Sequence, residues 1–229
     1  MHAIDKIYTE VPYYGSRKLV VELKKVGLLV NRKRVSLLMR KMGIETQYSK
    51  PNLSKADKAH KKYPYLLKNF RPTCNMQVWS IDITYIPLRS GFLYLVAIID
   101  WHSRYVVSWR LSNTLDVRFC LEALNEALCQ GRPEIFNSDQ GVQFTCETFL
   151  TRLEQEGIKI SMDGKGRALD NIFIERFWRS LKYEDIYLKR YESGEEAWMG
   201  IKEYIEFYNN KRIHQSLGYK TPAEVHTVA

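Results

Sequence analysis

Between residues 16 and 43 the apolar positions recur at helical spacing. Leu19, Val20 and Leu23 form one stripe after Ser16, a candidate N-cap, and Gly27 supplies the left-handed residue that ends it. Asn31 is placed to cap a second segment, in which Val35, Leu38, Met39 and Met42 fall at i, i+3, i+4 and i+7 and Gly43 closes the turn. Two short helices joined by a tight turn predict a small helix-turn-helix domain over residues 1–45. Residues 46–72 lose the periodicity. They are polar and cationic, broken by Pro51 and Pro64, and predict a linker.

From residue 76 the pattern turns to β. Residues 78–86 alternate, 92–99 are almost continuously apolar and 105–111 form a third candidate strand, which together predict a meander. A helix follows over 116–130, with Thr114 as candidate cap and Gly131 as stop, then a short buried strand over 133–137. A helix over 147–156, a strand over 159–162, a glycine loop and a helix from 171 to 183 complete the pattern. The order β-β-β-α-β-α-β-α describes an α/β fold, a mixed sheet flanked by helices, and the opening meander argues against a purely parallel doubly wound sheet. Residues 73–229 are expected to form this core, ending in a helical tail.

Charge changes the picture at the N-terminus. The net charge is +9, but residues 1–72 carry 17 Lys and Arg against 5 Asp and Glu, whereas residues 73–229 carry 18 against 21. All of the excess lies in the first segment, where Arg32, Lys33, Arg34 and Arg40 decorate the second predicted helix. A compact segment this basic binds polyanions, because neutralising phosphates releases condensed counterions. In the linker, Lys55, Lys58, Lys61 and Lys62 could follow a phosphate backbone while Tyr48 and Tyr63 stack on bases. The four cysteines form no Cys-x-x-Cys pair and are expected to be reduced core residues. No apolar run approaches the roughly 20 residues needed to span a bilayer, and the first residues lack the apolar stretch of a secretory signal. A cytoplasmic protein without a membrane partner is the expectation.

Three acids carry the candidate chemistry. Asp82 lies within the first strand between Ile81 and Ile83, so alternation points its carboxylate to the opposite face from theirs. Asp139 follows the fourth strand, where α/β sheets place ligand-binding groups. Glu175, separated from Asp139 by 35 residues, opens the last core helix, with Arg179 and Lys182 at i+4 and i+7 as phosphate-binding cations. If the first and fourth strands are neighbours, the two aspartates meet. Such a set suits two Mg²⁺ (or Mn²⁺) ions for in-line phosphodiester chemistry without a covalent protein intermediate.

The motifs holding these acids are Val78-Trp-Ser-Ile-Asp-Ile-Thr-Tyr-Ile, Asn137-Ser-Asp-Gln-Gly-Val-Gln-Phe and Asp170-Asn-Ile-Phe-Ile-Glu-Arg-Phe-Trp-Arg-Ser-Leu-Lys. With Tyr14-Gly-Ser-Arg-Lys and the tail Tyr208-Asn-Asn-Lys-Arg-Ile-His-Gln-Ser-Leu-Gly-Tyr-Lys-Thr-Pro, they resemble the catalytic (second reading frame) transposases of insertion-sequence family three, within the retroviral-integrase superfamily. The resemblance covers nearly the whole chain. It implies a ribonuclease-H-like fold and a polynucleotidyl transferase that hydrolyses a strand at an element's end and uses the freed 3′-hydroxyl to attack another phosphodiester. It further implies Asp82, Asp139 and Glu175 as ligands of the two ions and Lys182 as a DNA contact. The implied partners are the element's terminal repeats and target DNA, a homo-oligomer in the synaptic complex, and an upstream-frame transposase product. Asn171 is expected to cap the last helix, with a DNA contact as the alternative, Phe177 and Trp178 to pack it on the sheet, and His214 to be a surface or packing residue.

Overall fold

The computed structural model describes residues 1–11, 14–44, 63–164 and 171–227. The chain divides into two compact units, Met1–Lys55 and Ala56–Ala229.

In the first unit, helices α1 (His2–Glu10), α2 (Ser16–Lys25) and α3 (Arg32–Lys41) close on a core of Ile4, Leu19, Leu23, Val35 and Met39. The Asn31 side chain accepts the Arg34 N–H at 2.8 Å and caps α3. Gly27 and Gly43 adopt positive φ after α2 and α3, where a Cβ would strain the backbone. Ser16 is not the cap of α2. Gly15 holds that position and Ser16 is the first helical residue, its hydroxyl turned to the Arg32 guanidinium at 3.4 Å. Helix α1 is an addition to the two helices that the apolar pattern predicts.

The second unit is built on a five-stranded sheet of order β3-β2-β1-β4-β5, from β1 (Val78–Pro87), β2 (Phe92–Asp100), β3 (Val106–Ser112), β4 (Ile135–Ser138) and β5 (Lys159–Met162). The meander β1-β2-β3 is antiparallel, and β4 joins the free edge of β1 in parallel. The sheet is covered on both faces, which explains why β2 is buried continuously from Leu95 to Asp100. On one face Trp79, Ile81, Val96 and Ile98 pack with residues of α4 (Val117–Leu128) and α6 (Glu147–Gln155). On the other, Ile86, Leu95, Ala97 and Ile99 pack with residues of α7 (Ile172–Leu181) and α9 (Gly194–Asn210).

Smaller elements finish the unit: α5 (Val142–Thr145), a π-helical turn over Lys182–Ile186, α8 (Tyr187–Lys189), a 3₁₀ turn over Gln215–Leu217 and α10 (Pro222–His226). The cap of α4 is Asp116, which accepts the Arg118 N–H at 2.8 Å; Thr114 instead exchanges hydrogen bonds with Ser112. Of the residues expected to form the linker, 46–62 lie outside the described residues, and with them the four lysines and Tyr48. Beyond them Leu67 is buried with Val78 and Trp101. Tyr63, expected to be available for base stacking, packs against the core and donates its hydroxyl to Glu154. All four cysteines are free, but only Cys120 is buried; Cys74, in the segment before β1, and Cys129, at the C-cap of α4, are exposed. Among the described residues no helix is long and apolar enough to cross a membrane.

Candidate functional site

Strand alternation places Asp82. Ile81 and Ile83 belong to the core under α4 and α6, so Asp82 projects to the face covered by α7. The last β1–β4 pair sets Ser80 beside Asn137, and two residues further along each chain come Asp82 and Asp139. The third acid, Glu175, lies in the first turn of α7. Three residues on, Trp178 donates its indole N–H to Asp82 Oδ2 at 2.9 Å, which pins the helix over the carboxylate. Asp139 Oδ1 accepts the Gly141 N–H at 2.8 Å.

Electrostatics tie the three acids together. Burial pushes the Asp82 carboxyl up to about 6; the Trp178 and Ile83 N–H groups favour its ionised form, while Asp139 and Glu175 each add to the upward push. Asp139 is raised by desolvation, opposed by the Gly141 N–H, and Glu175 is raised by desolvation. Among the described residues no Lys or Arg forms an ion pair with any of the three. Among the described residues, no three His, Cys, Asp or Glu side chains are gathered tightly enough to enclose an ion by themselves. Lys182 is half-buried; burial lowers its pKa and the attraction of Asp82 opposes this, so its ammonium shares the field of the acids.

The neighbouring residues separate by role. Asp100 is fully buried, but accepts from the Met76, His102 and Ser103 backbone N–H groups and the Ser103 hydroxyl at 2.8–3.0 Å, which makes it the organiser of the β2–β3 turn. Asn171 occupies the N-cap position of α7 but does not cap it. Its side chain is buried and its amide points to the Ile81 carbonyl at 3.4 Å, across to β1. Phe177 packs in the core as expected; the Trp178 bond to Asp82 was missed, because an indole three residues after Glu175 looks like ordinary packing until β1 is known to lie beneath it. His214 packs edge-on against Tyr208 at 4.9 Å and is held neutral, its pKa lowered to about 4 first by burial and then by Arg212 and Arg104. Arg179 makes no ion pair with Glu175 and lines a separate cavity with Arg104, Arg176 and Arg212.

In the first unit, Arg32, Lys33, Ser36, Leu37 and Arg40 line one concave face of α3, which borders the buried stripe of Val35 and Met39. Arg34 does not line it. At 100° per residue it falls to the side of that face.

Gly141 offers a test of the Asp139 arrangement. A Cβ added there would stand 2.8 Å from Asp139 Oδ1. Gly141→Ala is therefore expected to leave folding intact, since only a carboxylate must swing, and, for an enzyme that uses Asp139, to lower activity about tenfold or more, because misplacement of a reacting group by about 1 Å costs up to 10²-fold. Steady-state rates alongside a thermal melt decide it, and an unimpaired rate would show that the Asp139 position is not critical.

A mixed sheet of this order, helices on both faces and acids at the β1–β4 junction define the integrase-type catalytic core. Two family models described as Integrase core domain match residues 72–168 and 156–222, and one described as HTH-like domain matches residues 1–52. The chain is 34% identical over 218 residues to the transposase for insertion sequence element IS904 of Lactococcus lactis subsp. lactis (strain IL1403), covering 92% of this chain and 86% of that one. It is 31% identical over 218 residues to transposase InsF for insertion sequence IS3A of Escherichia coli (strain K12), covering 92% and 76%. Among solved structures, the simian T-cell lymphotropic virus intasome in complex with PP2A regulatory subunit B56 gamma superposes with a TM-score of 0.62 at 15% identity, over 99% of this chain and 75% of that one. The HTLV-2 integrase catalytic core domain in complex with magnesium, in its dimeric form, gives 0.51 at 18%, over 68% and 99%. The chain belongs to the IS3-family insertion-sequence transposases, enzymes of DNA transposition and recombination.

Proposed function

We propose that Asp82, Asp139 and Glu175 hold two Mg²⁺ (or Mn²⁺) ions, with which the enzyme cleaves the ends of its insertion sequence and joins the 3′-hydroxyl to target DNA. The residues suit such ions. All three donors are carboxylates, the hard oxygen ligands that magnesium prefers alongside water and substrate phosphate. Their raised pKa values, with no ion pair to a protein cation among the described residues, are what a site completed by added positive charge requires. Bound ions would supply activation of the attacking hydroxyl and stabilisation of the leaving oxygen.

The chain's own residues do the positioning. The Trp178 indole fixes the orientation of Asp82, and the Gly141 N–H fixes that of Asp139. Lys182 contacts a DNA phosphate beside the acids. Residues 1–45 bind DNA through the outward face of α3, where Arg32, Lys33 and Arg40 stand, and residues 46–72 connect that domain to the core. The named assemblies of the structural neighbours, an intasome and a dimeric core, support a homo-oligomer that brings two element ends together. An upstream-frame product is a further partner of the kind the family resemblance suggests.

The observation that carries this reading is Asp82, placed beside Asp139 by the β1–β4 register and tied to the Glu175 helix by Trp178. The test is a strand-transfer assay on a labelled duplex carrying the element end. Joined product is expected with Mg²⁺ or Mn²⁺ and not with EDTA, and joining in EDTA would overturn the metal assignment.

A stability measurement tests the same site without DNA. In metal-free protein the folded-state pKa of Asp82 lies above its unfolded value, so the native state binds the proton more tightly. Stability therefore falls as pH rises from about 4 to about 6, and the deficit persists above that window. Asp82→Asn removes it while retaining an acceptor for Trp178, and is expected to gain about 1–3 kcal/mol at pH 7.5 in EDTA, shrinking towards pH 4. Mg²⁺ should then raise the melting temperature of the wild type but not of the variant. A variant less stable than the wild type across the whole range would refute this.

A further inference from the structure

Helix α7 presents two different faces. Glu175, Trp178 and Lys182, at i, i+3 and i+7, lie towards Asp82, whereas Phe173, Arg176 and Ser180, at the same spacing, line a cavity of about 330 Å³ on the other side. Into this cavity come Arg104 from the β2–β3 turn, Arg179 from α7, and Arg212 and His214 from the segment after α9. The four arginines were not assembled by the sequence reading, and nothing in the proposed chemistry uses Arg104, Arg176 or Arg212.

The charge is compensated only in part. Arg212 is paired with Glu184, at 2.6 and 2.8 Å, but among the described residues neither Arg176 nor Arg179 has an acid partner. Arg104 is held in place by stacking, its guanidinium carbon 3.4 Å from the centre of the Phe173 ring, and its Nη1 is buried with no hydrogen-bond partner. Burial lowers its pKa to about 10, against the pull of Tyr208 and Asp100 and with a smaller push from Arg176, which leaves it charged at neutral pH. His214 Nε2 faces Arg212 Nη1 at 3.3 Å and, being neutral, can accept from it. General basicity does not explain the cluster, because residues 73–229 contain more acids than bases. A preorganised set of guanidinium N–H groups around a small open cavity, one of them buried without an acceptor, matches a tetrahedral oxyanion.

We propose that this arginine pocket seats a backbone phosphate of the DNA, as an anchor on the side of α7 opposite the carboxylates. The assignment rests on the reading that the carboxylate site acts on DNA. A helix with its side chains is roughly 10 Å across, so the anchored phosphate lies within about three nucleotides of the reacting one at 3.4 Å per step. The pocket takes no part in bond breaking; it fixes the path of the strand over the catalytic helix.

The test uses the full chain in EDTA, with a short duplex carrying the element end. Arg176→Gln, on the exposed surface of α7, and Arg104→Gln are compared with wild type, with thermal melts reporting their folding and Arg104→Lys as the conservative control. Each Gln variant is expected to weaken binding about three- to tenfold and to flatten the log–log salt dependence by up to about 0.9, the slope carried by one phosphate. Phosphate ethylation should interfere with wild-type binding at a position near the cleavage point and no longer do so for the variants. Unchanged affinity, slope and interference pattern in Arg176→Gln would overturn the proposal. So would loss of inorganic phosphate binding with DNA affinity intact, which would mark a free-anion site. A protein inactive in joining whose DNA affinity still falls in the variants would sink the catalytic reading and keep the pocket. An active protein indifferent to them would do the reverse.

Discussion

Asp139→Asn is expected to abolish metal-dependent cleavage and joining, by at least about a thousandfold, while DNA affinity stays near that of the wild type. Asparagine keeps the shape of the side chain and an oxygen for the Gly141 N–H, so the strand end and the turn after β4 remain as they are. What disappears is a negative charge facing Asp82. Loss of about 4 kcal/mol of stabilisation of developing charge corresponds to that thousandfold decrease. Two measurements on one preparation decide the matter: a strand-transfer gel and a metal-free binding titration. Joining at the wild-type rate would remove Asp139 from the catalytic set.

The position of the acids was largely legible because it depends on period and register. Alternation about Ile81 and Ile83 gave the face of Asp82, and a short apolar strand before Asp139 allowed it to lie beside β1. Bounds were less legible, since caps compete locally. Asp116 displaced Thr114 because its carboxylate reaches the Arg118 N–H, and Gly15 displaced Ser16. Helix α1 escaped notice because Ile4 is its one buried residue, too little to mark a stripe. The π-helical turn at Lys182–Ile186 was read as the end of the α-helix or as tail, because a single widened turn leaves the apolar spacing almost unchanged.

Partners were the least legible part. Asp82 and Asp100 are both carboxylates in apolar strands, and hydrophobic alternation alone does not tell their surroundings apart. The structure does: Asp100 collects four donors from its own turn and Met76, whereas Asp82 has the Trp178 indole and the Ile83 N–H and faces two other acids. The arginine pocket was invisible for the same reason. Arg104 and Arg212 reach it from segments far apart in sequence, and only the packing of α7 between them brings their charges to one cavity.

The complementary experiment removes charge from the first unit. Arg32→Gln, Lys33→Gln and Arg40→Gln together should weaken DNA binding by about 10²- to 10³-fold near physiological salt and reduce the log–log salt slope by up to about 2.7, if each residue neutralises one phosphate. All three line the concave face of α3 and are exposed, outside the core that holds Val35 and Met39, so the unit should keep its fold; exposed substitutions of this kind usually stay within about 0.5 kcal/mol. Arg34→Gln serves as the comparison, because Arg34 stands to the side of that face and should change the slope less. Salt titrations of both variants measure this, and an equal loss from Arg34→Gln alone would show that α3 meets DNA by another face. Joined to the Asp139→Asn result, the outcome separates two functions physically: removing charge from α3 costs binding before chemistry, and removing it from the β1–β4 junction costs chemistry without binding. A single surface doing both could not give opposite losses.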